Sequence, residues 1–498
     1  MLIFKQKLFR TKGFNMQKNY KVGKYALDNH QMQIINNDQN TLVIAGAGAG
    51  KTLTLLGKIN YLLENKLCNS QEILIISFTN ASVNDIKEKI KYNVNIFTFH
   101  KLAIEILKSA NVNYNLCDEN YLKYIVEESV TNCKTEDQIT ILKFLKLNIK
   151  YRSFLKSHYY ISFCKLIITY INLFKTNNYT YDNIKNINFT KTEQKILIII
   201  FNIYYQYCSE KRSTKKFDFD DLIICATNII KNIKSNYKYI IIDEFQDTSL
   251  IRLNLIKELY KHTNSKIIVV GDDWQSIYRF SGCDLNIFLN FEKLFPNVKK
   301  IMLSNTYRNS CELISVASEF IQKNPLQIKK NLTSTKTNSA PLIFVPYLNK
   351  IYTFKKLIES ILIYTNDIMI LSRNNKDIFE YIDKDFKLEK NVLFYKNFPL
   401  KYYTVHRSKG LEASHVIILN CNNEYLGFPN KIENNPIIDK LVPNNEIRFA
   451  EERRLFYVAI TRCKETTYLV YNKNSPSYFI KEIKKILKKN SLKIKYFK

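Results

Sequence analysis

Residues Thr41 to Lys58, TLVIAGAGAGKTLTLLGK, constrain this chain more than any other stretch. Thr41 to Ala45 is apolar or β-prone and reads as a short buried strand, and Leu53 to Leu63 has the apolar spacing of a helix. Between them lies Ala45-Gly46-Ala47-Gly48-Ala49-Gly50, followed by Lys51-Thr52. Strand, glycine-rich loop, Lys-Thr and helix, in that order, make a phosphate-binding loop. Glycines let successive backbone N–H groups turn inward around an anion, and the helix N-terminus adds partial positive charge. The cradle runs from Ala45 to Leu53. In it Lys51 supplies a full charge to the β- and γ-phosphates, and the Thr52 hydroxyl is a magnesium ligand. Ala45 stands where the usual pattern has glycine, a departure that a negative φ tolerates. The chain has only 10 glycines in 498 residues, so three within five positions mark a built loop.

A chain of this length, 46% hydrophobic, has material for two to four domains with buried cores. The formal charge is +30 and the pI about 9.5, which points to a polyanionic partner. The same Lys-, Asn-, Ile- and Tyr-rich mix also follows from a coding bias, so charge alone does not decide it. Ten cysteines are scattered singly with no CxxC, which argues against a zinc cluster or disulfide framework and for a reducing compartment. No apolar run is long enough to span a membrane. The basic opening stretch, without acid until Asp28, lacks the apolar core of a secretion signal. The expectation is a cytoplasmic protein, nucleoid-associated if bacterial, with organellar targeting left open.

Taken in order, Leu27 to Gln31 precedes the loop, and Gln31 can offer adenine a donor and an acceptor together. Glu72 to Phe78 reads as a second buried strand running into Thr79, Asn80 and a polar helix. A further β-like piece ends at Thr98-Phe99-His100. Strands alternating with helices indicate a parallel sheet, whose ligands bind beyond the carboxyl ends of the strands. Phe78, Thr79, Asn80 and His100 fall at such ends. Residues 102–216 look helical, with Lys and Tyr interleaved. Two readings stand for them: single-strand contacts, or a solvated bundle with Tyr in its core. The α/β pattern resumes at FDFDDLI (217–223). In YIIIDEFQDTS (239–249) an apolar strand ends in Asp243, suited to hold magnesium, and Glu244, suited to polarise the attacking water. In KIIVVGDDWQSIYRFSG (266–282), Gln275 sits where a γ-phosphate sensor belongs, with Trp274, Tyr278 and Phe280 placed to couple stacking to nucleotide state. All nine prolines lie between Pro296 and Pro476, a shift that places a second α/β unit from residue 296, beginning with the strand candidate IMLSN. That unit carries three polar clusters, NTYRNS, TVHRSKGLE and EERRLFYVAITR, with Tyr307, Arg308, His406, Glu412 and Arg462. Arginines from a facing domain complete many phosphate-loop ATPase sites.

Nine stretches in order, LDNHQ, AGAGAGKT, SFTNAS, TFHKLA, IIIDEFQDTS, VVGDDWQSIYRFSG, NTYRNS, VHRSKGLE and EERRLFYVAITR, resemble the motifs of UvrD/Rep-type superfamily 1 DNA helicases. The wording of the sixth is most similar to the helicase IV branch. The resemblance implies two RecA-like parallel-sheet motor domains with an α-helical insertion in the first. Its expected layout is 1–101 with 217–295 for the first motor, 102–216 for the insertion, 296–476 for the second motor, and 477–498 as a basic tail. It implies ATP and magnesium as cofactors, Gln31 reading adenine, Tyr307 stacking on it, and Glu412 at the ribose. Arg308 and Arg462 would be the γ-phosphate arginines, with Phe78, His100, Phe280 and His406 along the single-strand path. It implies 3′-to-5′ movement on single-stranded DNA and unwinding of 3′-tailed duplexes. Two departures stand out. Phe280 and Ser281 replace the Trp and Arg of many relatives, and the interval from Arg308 to Thr404 lacks most of the accessory insertion of larger ones. The second keeps alive a translocase subunit that unwinds only with a protein partner in repair, replication or anti-phage defence.

Overall fold

The computed structural model describes residues 20–432, 435–441 and 447–497; the basic opening stretch up to residue 19 lies outside them. Six parallel strands form the first sheet: β1 (Asn40–Ala45), β2 (Ile73–Ser77), β3 (Asn95–Thr98), β4 (Tyr239–Ile242), β5 (Lys266–Gly271) and β6 (Val298–Leu303). Their spatial order is β6-β1-β5-β4-β2-β3. Each apolar run feeds both faces of the sheet, because successive side chains alternate. Leu42, Ile44, Leu74, Ile76, Ile240 and Ile242 enter one core. Val43, Ile75, Ile241 and Ile268 enter the other. Helices α1 (Asn29–Asn36), α2 (Lys51–Glu64) and α3 (Asn80–Lys89) cover the second core, and α4 (Phe99–Ser109) covers the first.

Two expected boundaries move. The strand read as opening the second unit is β6, which pairs with β1 from Val298 opposite Asn40 to Leu303 opposite Ala45. Ile301 and Leu303 are buried in the same core as Val43 and Ala45, so Pro296 marks the turn into a last strand and not a domain boundary. The insertion, expected from residue 102, begins only after α4, because Leu102, Ala103, Ile106 and Leu107 belong to the first core.

The insertion is dominated by α5 (His158–Thr176) and α6 (Lys191–Ser213). It has a core of its own with Phe154, Phe163, Tyr170, Phe174 and Phe201 fully buried. A two-residue parallel bridge, Asn115–Leu116 with Lys216–Phe217, ties it to the first sheet's unit. Four charges lock this root just before α7 (Phe219–Ile229). Lys211 Nζ lies 2.6 Å from Asp218 and 2.5 Å from Asp221, and Lys175 contacts both acids as well. Burial alone would raise the Asp218 carboxyl, but the two ammonium groups outweigh it and hold it well below the usual range. A depressed carboxylate stabilises the fold above its unfolded pKa, near 3.8 here, and that contribution is lost as pH falls through the folded pKa. Asp218→Asn leaves two buried lysines sharing one carboxylate. Denaturant melts are expected to show a loss of about 3–5 kcal/mol at pH 7, with the gap between variant and wild type narrowing in acid.

After α8 (Leu250–Thr263) and β6, the chain crosses to the second unit through Ser304 to Ser310 and α9 (Cys311–Ile321). The second sheet comprises β7 (Leu342–Tyr347), β8 (Ile368–Ser372), β9 (Phe386–Glu389), β10 (Val392–Tyr395), β11 (Phe398–Thr404), β12 (Ala413–Ile418), β13 (Cys463–Asn472) and β14 (Lys495–Tyr496). The order is β9-β10-β11-β8-β12-β13-β7-β14, parallel except for the β9-β10-β11 meander. Between β8 and β11 there is only a single helical turn and that meander. The sheet again feeds two cores, Met369, Leu371, Val416 and Ile418 to one side, Ile368, Ile370, Ile417 and Leu419 to the other. The C-terminal segment read as a basic tail is part of this unit. In α11 (Tyr478–Lys489), which follows α10 (Ala450–Ile460), Phe479, Ile480, Ile483 and Ile486 are core residues. The lysines take the other face of α11, and β14 then adds a strand beside β7.

The two units also meet through the insertion. Ile437 and Leu441, from the short helix Pro436–Leu441 of the second unit, are buried in the insertion's core. Tyr170 Oη donates to Asn435 Oδ1 at 2.7 Å, Tyr179 Oη donates to the Leu441 carbonyl at 2.9 Å, and Lys440 pairs with Glu193 at 2.6 Å.

Candidate nucleotide site and strand path

β1 ends at Ala45 and α2 begins at Lys51, so the glycine-rich loop sits at the carboxyl edge of the first sheet, facing the second unit. Gly48 and Gly50 have φ of +70° and +75°, where a side chain is strained. A Cβ at Gly48 would also lie 2.5 Å from Arg308 Cβ, so the tightest turn of the loop is where the second unit's arginine presses against it. The Tyr307 N–H donates to the Gly48 carbonyl at 2.9 Å, and Thr306 Oγ1 donates to the Ala47 carbonyl at 2.8 Å. The Ala47 N–H donates to Tyr457 Oη at 3.4 Å. Ala45, Gly46 and Ala47 thus shape the loop from behind. The cavity itself, of about 420 Å³, is lined by Gly48, Ala49, Gly50, Lys51, Thr52 and Leu53 from the loop, and by Glu244, Gln275, Tyr307, Arg308, Glu412 and Arg462. Tyr25, Lys336 and Lys464 line it too. No local signal marks Tyr25 or Lys336, which reach the cavity only through tertiary packing; Lys464, two residues past Arg462, was within reach of the motif reading.

At the acidic centre, Asp243 follows β4 and Glu244 takes φ +52°. A non-glycine residue held there stores about 1–3 kcal/mol of strain, which tertiary contacts must sustain. Glu244 Oε1 lies 2.5 Å from Lys51 Nζ, Oε2 accepts from Gln246 Nε2 at 2.6 Å, and Lys409 Nζ stands 3.6 Å away. Burial works to raise the Glu244 carboxyl, but Lys51 and Lys409 outweigh it and hold it far below the usual range. Burial and the Glu244 charge push the neighbouring Asp243 up to about 6. Gln275 Nε2 donates to Asp272 Oδ2 at 2.6 Å, and its carbonyl accepts from Arg462 Nη2 at 2.9 Å. Arg462 is almost fully buried; burial and then the Arg308 charge lower its guanidinium to about 9, still protonated at neutral pH. Arg308 Nε donates to Glu412 Oε2 at 2.8 Å, and Lys464 holds the other Glu412 oxygen at 3.1 Å. Two arginines, three lysines and Gln275 therefore line one space beside the loop.

The other end of the cavity suits a base. Asp28 caps α1 with Gln31, whose Oε1 accepts the Asp28 N–H at 2.9 Å. One lone pair of the Gln31 carbonyl is therefore committed within the chain, which leaves the second lone pair as the acceptor the amide can offer a base. Its Nε2 is buried with no protein partner and lies against Gly50. Asp28 Oδ2 also accepts from Tyr307 Oη at 2.6 Å and from Asn305 Nδ2 at 2.8 Å, which fixes the Tyr307 ring beside that amide. For magnesium, the Thr52 hydroxyl and the Asp243 carboxylate, one oxygen of which accepts the Glu244 N–H at 2.9 Å, are hard oxygen donors of the right kind.

A second cavity, of about 220 Å³, shares Glu244 and Gly410 with the first and is lined by Phe78, Thr79, Arg252, Tyr278 and Lys409 among others. Phe78 packs edge-on against Phe99 at 5.2 Å, with the Arg252 guanidinium over both rings, and His100 meets Phe219 at 5.3 Å. On the far side Phe280, 61% exposed, stands edge-on to His406 at 5.5 Å, and Tyr278 Oη donates to the His406 carbonyl at 2.9 Å. Burial, reinforced by Arg252 and Arg373 respectively, lowers the His100 and His406 rings to about 4, so both are neutral at pH 7. Asn80 opens α3 and is exposed, while the Thr79 hydroxyl is occupied capping that helix through the Ser82 N–H at 3.1 Å. Trp274, expected to couple stacking to the nucleotide, has no face open to a ligand. It is fully buried, edge-on to Tyr457 at 5.4 Å, and donates from Nε1 to the Ile328 carbonyl at 3.0 Å.

The family model described as UvrD/REP helicase N-terminal domain matches residues 27–296, and that described as UvrD-like helicase C-terminal domain matches 397–474. DNA helicase IV of Escherichia coli (strain K12) is 26% identical, over 91% of this chain and 69% of its own length. ATP-dependent DNA helicase Rep of Buchnera aphidicola subsp. Schizaphis graminum (strain Sg) is 28% identical, over 91% of this chain and 66% of its own. The probable DNA helicase II homolog of Mycoplasma capricolum is 29% identical, over 70% of this chain and 49% of its own. The chain thus spans about half to about two thirds of these relatives.

Proposed function

We propose, from the premise that this chain belongs to the UvrD/REP helicase family, that it hydrolyses ATP to move 3′ to 5′ along single-stranded DNA and split the duplex ahead. The observation that carries this reading is the shared wall of the two cavities. Glu244 and Gly410 line both the space beside the phosphate loop and the space beside Phe78 and Tyr278. A change at the γ-phosphate is therefore one residue away from the aromatic path.

In this reading the β- and γ-phosphates take Lys51 and the loop amides, and Gln31 and Tyr307 hold adenine. Phosphate oxygens compete with Glu244 for the Lys51 ammonium. As that ion pair loosens, the Glu244 carboxylate becomes more basic and accepts a proton from the attacking water. Arg308 and Arg462 neutralise charge on the transferring phosphoryl group, and Gln275 holds Arg462 in place. Thr52 and Asp243 would hold magnesium, which would supply positive charge to offset that of the phosphates. Glu412 stands near the ribose end, paired to Arg308. Closing on ATP draws Arg308 and Arg462 of the second motor toward the loop, and Phe280 and His406 shift relative to Phe78 and His100 with the strand between them.

The test is ATP turnover without nucleic acid, with single-stranded DNA and with single-stranded RNA, beside strand displacement from 3′- and 5′-tailed duplexes. DNA-stimulated turnover with displacement only from the 3′-tailed duplex is the expected result; no stimulation by any nucleic acid overturns the reading. A second reading rests on the bare interval between β8 and β11, where no accessory domain stands. In it the chain is a DNA-stimulated translocase that unwinds only with a protein partner, and stimulation without displacement selects it. Phe280→Ala should weaken strand binding by about 1–3 kcal/mol, the worth of one stacked base, measured by fluorescence anisotropy, with DNA-free ATP turnover unchanged. Because the His100 and His406 rings are already neutral, wild-type strand affinity should carry no histidine step between about pH 6 and 8.

A further inference from the structure

Lys330 is fully buried, yet no motif contains it and nothing in the catalytic account above uses it. It lies between α9 and β7, in a segment of the second unit that folds back beneath the phosphate loop of the first. Its Nζ donates to the Ala45 carbonyl at 2.8 Å and to Asp272 Oδ1 at 2.5 Å, and lies 2.6 Å from Asp273 Oδ1. The same ammonium sits 4.7 Å above the Trp274 ring. Two residues on, Leu332 occupies the space where a Cβ on Gly46 would be, 2.4 Å from its Cδ1.

The contacts continue from there to the reacting end of the site. Asp272 uses Oδ1 for Lys330 and Oδ2 for the Gln275 side-chain amide, whose carbonyl holds Arg462 Nη2. A carboxylate with one oxygen tied to a buried ammonium has one orientation left for the other. The amide of Gln275 is then fixed with its carbonyl toward the arginine. Without Lys330, Asp272 and Asp273 would be two buried carboxylates side by side, and the geometry of Gln275 would follow whatever relieved them.

We propose that Lys330 is a positioning residue for ATP hydrolysis: it holds Asp272 so that Gln275 presents Arg462 to the γ-phosphate, and it couples the second motor to the base of the phosphate loop. The proposal rests on the ATPase reading above and adds to it a residue outside the motifs.

The test is a double-mutant cycle on DNA-stimulated turnover with purified full-length chain. Lys330→Met removes the ammonium at nearly constant shape. Because it strands two carboxylates, it is made together with Asp273→Asn, which returns the buried group to the single net negative charge of the wild type. The Asn carbonyl can still accept the Ile328 N–H that Asp273 accepts now at 2.8 Å. The pair is expected to lower kcat about tenfold, since small displacements of positioned groups cost about that much or more. KM for ATP and the affinity for a fluorescent ADP analogue should stay within about twofold of wild type. Adding the pair to Gln275→Ala should produce no further loss of kcat, because both act through one arginine. Losses that multiply in the cycle, or kcat unchanged by the pair in a folded protein, overturn the role of Lys330. Absence of DNA-stimulated turnover in the wild type overturns instead the function on which it rests.

Discussion

Glu244→Gln is expected to lower ATP turnover about 10³-fold, the range of a lost general base, while the protein still binds ATP and single-stranded DNA. The substitution keeps the shape and one carbonyl acceptor for Lys51 Nζ, now 2.5 Å from Glu244 Oε1. It removes the charge that can take a proton from water. The neighbouring Asp243 should respond in the opposite sense. Its carboxyl is pushed up to about 6 by burial and by the Glu244 charge, so neutralising Glu244 makes Asp243 easier to ionise and should not weaken magnesium. The backbone at φ +52° is no worse for Gln than for Glu, so folding should be preserved. The measurement is single-turnover hydrolysis beside equilibrium binding of a fluorescent ATP analogue. Turnover within threefold of wild type would remove Glu244 from the mechanism. Another acid of the same turn, Asp247, is held at 2.5 Å by Lys409 and is also pushed up to about 6, chiefly by burial.

The phosphate loop, the acidic strand end and the arginine clusters each announce their chemistry within a dozen residues, and the cavity gathers Lys51, Glu244, Gln275, Arg308 and Arg462 around one space. The central strands of both sheets are apolar runs because both faces are covered, which makes their existence plain and their membership obscure. An apolar run does not say which sheet it joins, so β6 reads equally well as the last strand of one unit or the first of the next. α11 illustrates the converse. Its lysines dominate the composition, while Phe479, Ile480, Ile483 and Ile486, at helical spacing, are what fix it in the core. Contacts made across long sequence separations left no local trace. Lys330 on Asp272, and Ile437 in the insertion's core, depend on topology that no window of sequence contains. Trp274 differs for a related reason: its place beside Gln275 points to stacking coupled to the nucleotide, whereas its ring fills the gap between Tyr457 and Lys330.

Arg462→Ala should be at least as damaging as the loss of Glu244, lowering turnover by about 10³-fold or more, the worth of an arginine at the transferring phosphate. Arg462 projects from just past α10, and its guanidinium reaches Gln275 Oε1 at 2.9 Å while Nε donates to the Val458 carbonyl at 3.1 Å. Only the second motor supplies it, so in the proposed mechanism its effect belongs to the closed state and not to nucleotide capture, which that mechanism gives to the loop, Gln31 and Tyr307. Affinity for an ADP analogue should therefore change by no more than a few fold. Lysine is not expected to rescue turnover, since an ammonium cannot hold the Gln275 carbonyl and a phosphate oxygen in the fixed fork of a guanidinium. A purely structural role predicts something different: Arg462→Lys, which keeps the buried charge and much of the volume, would then restore turnover along with thermal stability. Comparing kcat, analogue affinity and melting temperature across wild type, Arg462→Ala and Arg462→Lys separates the two. A lysine variant that melts like wild type yet stays about 10²-fold slow or worse places the second motor's arginine at the reacting phosphate.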